Sequence, residues 1–437
     1  MMDLEGEIKM KGIRIQGLFE RFDYEFSFKM DGVTIITGPN GFGKSTILKC
    51  LDALSNRDIL FFLKLDFKEI EIVFEENTKN IFLLKDNNEL SINGVKIENK
   101  ILNASFTNEL RHMPYMIKVD ENRWMDRRSG EIYNTLEWIL KNYNEENCED
   151  FIFNEGRMNY PQKILQTFNK IRSDIGKIYF IKEQRLLTEK YKRNEKEIVN
   201  VIDELPQKFI DLINKVSNNY SARANELDST YPTRLFATEI GITKNEYVSK
   251  MEEMNFKFDK LNKYNISPMK NLTNVLFKEE HSKALKIYFE DFNEKYKVYE
   301  DFINKLELFT DIVNNRLSFK KVVISRDKGI EIIDEDIKNR SLKLSELSSG
   351  EKQEIVLFYE LIFETKDDVL LLIDEPEISL HIVWQKMFMD DLLKIVQYKQ
   401  ISVIVATHSP QIINNHWDRQ IDLGALYGDK FNKNQFK

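Results

Sequence analysis

Gly38-Pro39-Asn40-Gly41-Phe42-Gly43-Lys44-Ser45-Thr46 is the stretch from which the rest of this chain can be read. It fits G-x-x-x-x-G-K-[ST], the phosphate-binding P-loop pattern. Before it, Val33–Thr37 (VTIIT) is apolar and β-branched, the composition of a short buried strand. The glycines let the backbone turn tightly, so that its N–H groups face phosphate oxygens. Ser45-Thr46-Ile47-Leu48-Lys49 then opens a helix, whose N-terminus favours anions. In this pattern Lys44 reaches the β- and γ-phosphates and the Ser45 hydroxyl ligates Mg²⁺.

A second informative region lies far downstream. Val369-Leu370-Leu371-Leu372-Ile373-Asp374 is an apolar run of the kind buried in a parallel sheet. It ends in two adjacent acids, Asp374 and Glu375, which are costly at a buried strand end unless a cation or a function compensates. Asp374 is expected to hold Mg²⁺ and Glu375 to polarise the attacking water. Ile401–Ala406 reads as a further buried strand, and it leads into Thr407-His408-Ser409-Pro410. His408 is then placed to sense a γ-phosphate.

GPNGFGKST, LSSGEKQ (Leu347–Gln353), LLLIDEPEISLH and VATHSP, in that order, resemble the ABC-type ATPase head, and more narrowly the heads of soluble SMC, RecF and OLD-like ATPases. The resemblance implies an α/β fold with two lobes and a helical insertion. It also implies ATP and Mg²⁺ as cofactors, and a head dimer in which the signature of one subunit closes on the nucleotide of the other. Ser348, Ser349, Gly350 and Glu351 match that signature, with Ser349 standing where a second glycine is commoner. Ser379, Leu380 and His381 match the loop that crosses the dimer interface. A glutamine loop is also implied. Gln184, after the apolar Tyr179–Ile181, is the expected residue, touching metal and water; Gln162 and Gln166 are rivals.

A narrower resemblance rests on GIRIQGLFERFDYEF, YFIKEQRLL and DSTYPTRL. These segments look like ATPases of prokaryotic antiviral systems: PtuA of Septu and of some retrons, and AriA of PARIS. That implies a homo-oligomeric assembly which controls a separate effector, often a nuclease. DNA or a phage component is open as a ligand. The alternative is a RecF- or SMC-like ATPase of DNA repair or replication that acts on DNA directly.

Composition bounds these readings. The chain has 437 residues, 42% of them hydrophobic and 12% aromatic, enough for a full core, with a formal net charge of −8. That charge argues against a protein that coats DNA, though not against a local basic groove. No apolar run of membrane-spanning length appears, and the first residues lack a signal-peptide core. Cys50 and Cys148 have no metal or redox spacing, so a reducing, cytoplasmic setting is expected. Cys50 is expected to be a packed residue of the P-loop helix.

Three segments are expected: 1–186, an ATPase lobe with the P-loop; 187–318, a helical insertion for dimerisation or partner binding; and 319–437, a second lobe with the signature, the acidic strand and His408. Alternating patterns in FKEIEIVFEE, NIFLLKDNN and LSINGVKIENK predict antiparallel strands, with Asn93-Gly94 as a hairpin turn. The insertion reads as amphipathic helices from its first residues. It lacks sustained heptads and a zinc-hook CxxC, so long-range DNA tethering is not expected. Its aromatics Tyr288, Phe289, Phe292 and Tyr296 are either its own core or a docking face. The basic run Lys190, Lys192, Arg193 and Lys196 is either a solvated helix start or a nucleic-acid contact. After His408 only residues 409–437 follow here. The five histidines form no nuclease pattern, so any nuclease is expected on another polypeptide. The polar tail LGALYGDKFNKNQFK is read as a mobile contact segment.

Overall fold

The computed structural model describes residues 10–29, 32–76, 79–86, 89–98, 102–103, 107, 110–120, 123–143, 162–192, 195–266, 276–336 and 340–428, with backbone alone for 188–192 and 195–197. Cys148, Arg193 and the tail from 429 onward lie outside the described residues, as do 1–9. The chain forms two compact units. The first comprises Met1–Glu183, Thr365–Ile378 and Gln385–Lys437; the second comprises Gln184–Glu364 and Ser379–Trp384. Residues 319–437, expected as one lobe, are therefore shared between the two units.

In the first unit a five-stranded, wholly parallel sheet runs in the order Lys177–Ile181, Val369–Asp374, Ser402–Ala406, Val33–Thr37, Gln420–Asp422. All five residues of Val33–Thr37 are buried, as are nearly all of Val369–Asp374 and Ser402–Ala406. That explains why these strands read as continuous apolar runs. A six-stranded antiparallel sheet holds the expected alternating strands, Glu69–Phe74, Ile81–Asp86, Glu89–Ile92 and Val95–Ile97, beside Met10–Leu18 and Phe22–Ser27. Asn93 and Gly94 turn the last hairpin, both with positive φ (48° and 75°), the conformation a type I′ turn needs. The P-loop helix Lys44–Asn56 buries Ile47, Leu48, Cys50, Leu51 and Leu54 in this unit's core, so Cys50 is a packing residue as expected.

The second unit begins with a strand pair, Leu187–Lys192 with Glu195–Asn200, where helix was expected. The charged sequence hides the period-two pattern that the cross-strand register imposes. Three helices follow: Val201–Ala237, Lys244–Lys263 and Ser282–Asn314. The first has 37 residues and carries Pro206 and Pro232 inside it. At 1.5 Å per residue it extends about 55 Å. Phe289, Phe292 and Tyr296 are buried, and Phe292 packs on Phe258 and Tyr296. These aromatics are the helical unit's own core, which removes them as a docking face. Tyr288 is half-buried and packs on Phe289. A three-stranded sheet follows (Lys320–Ser325, Gly329–Asp334, Arg340–Leu342), then the signature helix Ser349–Tyr359 and a single π turn, Glu360–Glu364. Among the described residues, no helix is long and apolar enough to cross a membrane.

An ion pair closes the base of this unit. Arg316, just past the long helix Ser282–Asn314, meets Glu354 of the signature helix at 2.7 Å, with side-chain exposures of 0% and 1%. The guanidinium also lies 4.4 Å from the Phe358 ring centre. Removing one partner of such a pair strands the other charge in an apolar interior, at about 3–5 kcal/mol. Arg316→Ala is therefore expected to destabilise the unit by about that amount. The double substitution Arg316→Met with Glu354→Leu is expected to recover most of the loss. Urea unfolding followed by circular dichroism checks both. An Arg316→Ala variant as stable as the parent would show that the pair contributes little.

Candidate active site

The P-loop closes on itself around Lys44. Its ammonium donates to the carbonyls of Gly38 (2.9 Å) and Pro39 (3.4 Å) and lies 3.9 Å from Glu375 Oε1. Gly43 is the N-cap of the following helix in the left-handed region (φ 87°). A Cβ there would stand 2.8 Å from Leu18 Cδ2, so both backbone and packing require glycine. No side chain caps this helix and no acid occupies its first turn. Its leading N–H groups and positive dipole end are thus available to an anion. Gly38, Pro39, Asn40, Gly41 and Thr46 complete the loop. Phe42 anchors it from below, with its ring against Phe22 and Tyr427 and its carbonyl accepting from Tyr24 Oη at 2.9 Å.

The two acids at the end of Val369–Asp374, a strand separated from Val33–Thr37 by Ser402–Ala406, have different surroundings. Ser45 Oγ donates to Asp374 Oδ1 at 2.9 Å. Burial holds the Asp374 carboxyl above the ordinary range, partly offset by the Ser45 hydrogen bond and by Lys49. Glu375 sits one residue past the strand with φ 46°, an uncommon conformation for a non-glycine. Such outliers cluster at functional sites. Its N–H donates to the Ala406 carbonyl at 2.9 Å, tying it to the strand that leads to His408. Burial pushes the Glu375 carboxyl up to about 7, and Glu377 adds to the rise while His408 opposes it. His408 Nδ1 lies 2.5 Å from Glu375 Oε2.

Glu377 was not singled out from the sequence, yet it belongs to this cluster. It lies two residues beyond Glu375 in the Asp-Glu-Pro-Glu run, and a third acid so close to an apolar strand was the available signal. It is 5% exposed, and its Oε1 accepts from Thr407 Oγ1 (2.5 Å) and from the N–H groups of His408 (2.9 Å) and Ser409 (3.0 Å).

The structure thus gathers Lys44, Ser45, Asp374, Glu375 and His408 in the first unit. Gln184 and Ser348–Glu351 belong to the second. Gln184 is exposed and stands three residues past the end of Lys177–Ile181. The next residue, Arg185, is buried, and its charge acts on Glu360 in the π turn. Gln162 and Gln166 lie on the exposed face of the helix Gln162–Ile175.

Ser348 is the N-cap of the signature helix and forms a capping box with Glu351. Its N–H and hydroxyl both donate to Glu351 Oε2 at 2.8 Å, and Lys320 Nζ donates to both Glu351 oxygens at 2.8 and 3.0 Å. Burial works to raise the Glu351 carboxyl, but these bonds hold it below its ordinary value. A Cβ on Gly350 would meet the Ser379 carbonyl at 2.8 Å, so glycine here admits the loop Ser379–His381 against the signature. Ser348, Ser349, Ser379 and His381 are exposed on this unit, as are Ile382 and Val383, each 53%.

The donor set of the first unit fits a nucleoside triphosphate with a divalent ion. The uncapped helix start and Lys44 supply positive charge for phosphates, and Ser45 with Asp374 supplies hard oxygen ligands. A parallel α/β sheet, a P-loop at one strand end and paired acids at the end of the strand two places away define a P-loop ATPase domain. Residues 10–413 match the AAA ATPase domain family, and the chain belongs to it. The structure is similar to the Smc head domain with an extended coiled coil bound to the C-terminal domain of ScpA from Pyrococcus furiosus, at 14% identity, covering 93% of this chain and 91% of that one, with a TM-score of 0.34. It has the same identity, coverage and TM-score with the SMC head domain from Thermotoga maritima. It is also similar to the SmcHead bound to the C-winged helix domain of ScpA, with 14% identity, the same coverage and a TM-score of 0.35. A comparison with curated proteins finds no match.

Proposed function

We propose that this chain binds and hydrolyses ATP as an ABC-type head, with two copies facing each other, and that it regulates a separate effector protein. The observation that carries the ATPase reading is the meeting of Lys44, Ser45, Asp374, Glu375 and His408 at adjacent strand ends of one sheet. Lys44 and the helix N-terminus would hold the phosphates, and Ser45 and Asp374 would hold Mg²⁺. The ion's role when bound is to neutralise phosphate charge. Glu375 orients the attacking water and accepts its proton, a task suited to a carboxyl raised toward neutral pH. His408 would face the γ-phosphate, and the resemblance to ABC-type heads gives Gln184 the role of a metal and water ligand.

Self-association is supported by the exposed signature surface. Ser348, Ser349 and Gly350 lie beside the exposed Ile382 and Val383, an apolar rim suited to covering by another copy. The effector role is supported by the resemblance of the opening and of YFIKEQRLL to defence ATPases.

The test uses purified protein with ATP, Mg²⁺ or Mn²⁺, and DNA and RNA substrates. We expect no cleavage alone, and cleavage or toxicity when the product of an adjacent gene is added. Cleavage that survives repurification and is lost on mutating an acid outside the ATP site would overturn the effector reading. Tight ATP-dependent DNA binding by the chain alone would instead favour a repair ATPase of the RecF or SMC type.

A further inference from the structure

The segment Thr407-His408-Ser409 leaves its strand with its polar groups converging on one carboxylate oxygen. Glu377 Oε1 takes the Thr407 hydroxyl and two successive N–H groups, and it also lies 3.2 Å from His408 Nδ1. Glu377 Oε2 is buried and has no hydrogen-bond partner. A turn of this kind needs one acceptor, which a neutral amide supplies as well as a carboxylate. A buried carboxylate with one oxygen unmatched costs more than an amide would. Capping alone therefore does not account for an acid at this position.

The charge has a second neighbour in the imidazole. His408 Nδ1 stands between two carboxylates, Glu375 Oε2 at 2.5 Å and Glu377 Oε1 at 3.2 Å. Two acceptors on one ring nitrogen favour a proton there. The ring is thereby fixed in orientation and its other nitrogen, Nε2, is directed away from both acids. The same arrangement places Glu377 against Glu375 through a shared histidine.

We propose that Glu377 is a positioning residue for ATP hydrolysis: its negative charge holds the His408 ring, with its proton on Nδ1, against Glu375. This rests on the reading of the site as an ATPase centre. Glu377 touches neither nucleotide nor water in this scheme and acts through His408.

Glu377→Gln tests it, because the amide keeps an acceptor for Thr407, His408 and Ser409 while removing the charge. We expect kcat to fall about 10-fold or more, in the range of a displaced acid–base group. The KM for ATP should stay within about two-fold and the melting temperature should be little changed. Glu377→Ala, which also removes the cap, should lose both kcat and thermal stability. In a His408→Ala background, Glu377→Gln should lower kcat little further, because residues acting through one another are non-additive. Unchanged kcat in Glu377→Gln would show that the charge is not needed. An equal loss in the His408→Ala background would show that it acts by another route. A readout that needs no turnover keeps this separable from the ATPase reading. With ¹⁵N-labelled histidine, assigned by comparison with a His408→Gln variant, the parent should show the proton on Nδ1 of His408. Glu377→Gln should shift that signal and leave the other histidines in place. A His408 signal unmoved by the substitution overturns the proposal, whether or not the protein hydrolyses ATP.

Discussion

Lys44→Ala is expected to reduce ATP hydrolysis by about 10²–10³-fold or more, the scale of removing one preorganised charge from a phosphoryl-transfer site. The side chain does two jobs. Its ammonium bridges the carbonyls of Gly38 and Pro39, which sets the curve of the loop, and it lies 3.9 Å from Glu375 Oε1. Alanine removes both, so nucleotide affinity should fall together with turnover. Phosphate release and titration with a fluorescent ATP analogue measure the two effects separately. Because the ammonium is buried within the loop, its loss should not reach the six-stranded sheet, and the melting temperature without nucleotide should change little. Full activity in this variant would remove the P-loop assignment.

Glu375→Gln is expected to separate what Lys44→Ala joins. Glutamine has the same shape, keeps a contact for His408 and cannot accept a proton, so hydrolysis should fall by about 10²–10⁴-fold while ATP still binds. If heads close on ATP through the signature of a second copy, a head that cannot hydrolyse stays closed. The mass in solution, measured by light scattering with and without ATP, should then rise for the glutamine variant and persist. Lys44→Ala should show no rise. Identical masses with and without ATP for Glu375→Gln would count against closure by that route.

The parts of this molecule proposed to bind phosphate were legible in the sequence because their chemistry forbids substitutes. Gly43 must take a positive φ beside Leu18, Lys44 must reach back into its own loop, and an apolar strand must end in Asp374. The central strands were legible for a related reason: burial on both faces leaves a run of aliphatic residues that no surface element needs. The antiparallel strands around Asn93-Gly94 showed the period of a half-buried sheet.

What escaped reading was set by partners distant in sequence. Glu377 looks like one more acid until Thr407 and His408 are brought to it. The pair Leu187–Lys192 with Glu195–Asn200 reads as a charged helix start, because its stability comes from cross-strand bonds rather than an apolar stripe. The long helix Val201–Ala237 passes through Pro232, which a local reading takes as a stop. A tertiary contact sustains it: Arg234 pairs with Asp291 of the helix Ser282–Asn314, and within its own helix it donates to the Leu227 carbonyl at 2.7 Å. Aromatic character alone left Phe289, Phe292 and Tyr296 undecided between core and docking face. Their burial against Phe258 and the neighbouring helix decides it.

The order of strands in the parallel sheet has a consequence for synthesis. Val33–Thr37 is flanked by Ser402–Ala406 and Gln420–Asp422, both from the far end of the chain, and Gln420 Nε2 bonds to Thr37 across 383 residues. On a ribosome the P-loop strand emerges hundreds of residues ahead of both neighbours and waits, unpaired on both edges, until they follow. Contacts of such long sequence separation form slowly, and exposed strand edges in the interval invite wrong pairing. A nascent chain cut short before Ser402 would have its P-loop sequence and its Asp374 strand, but not the strand that joins them. The topology thus leaves the P-loop strand without either neighbour until Ser402–Ala406 and Gln420–Asp422 have both been made.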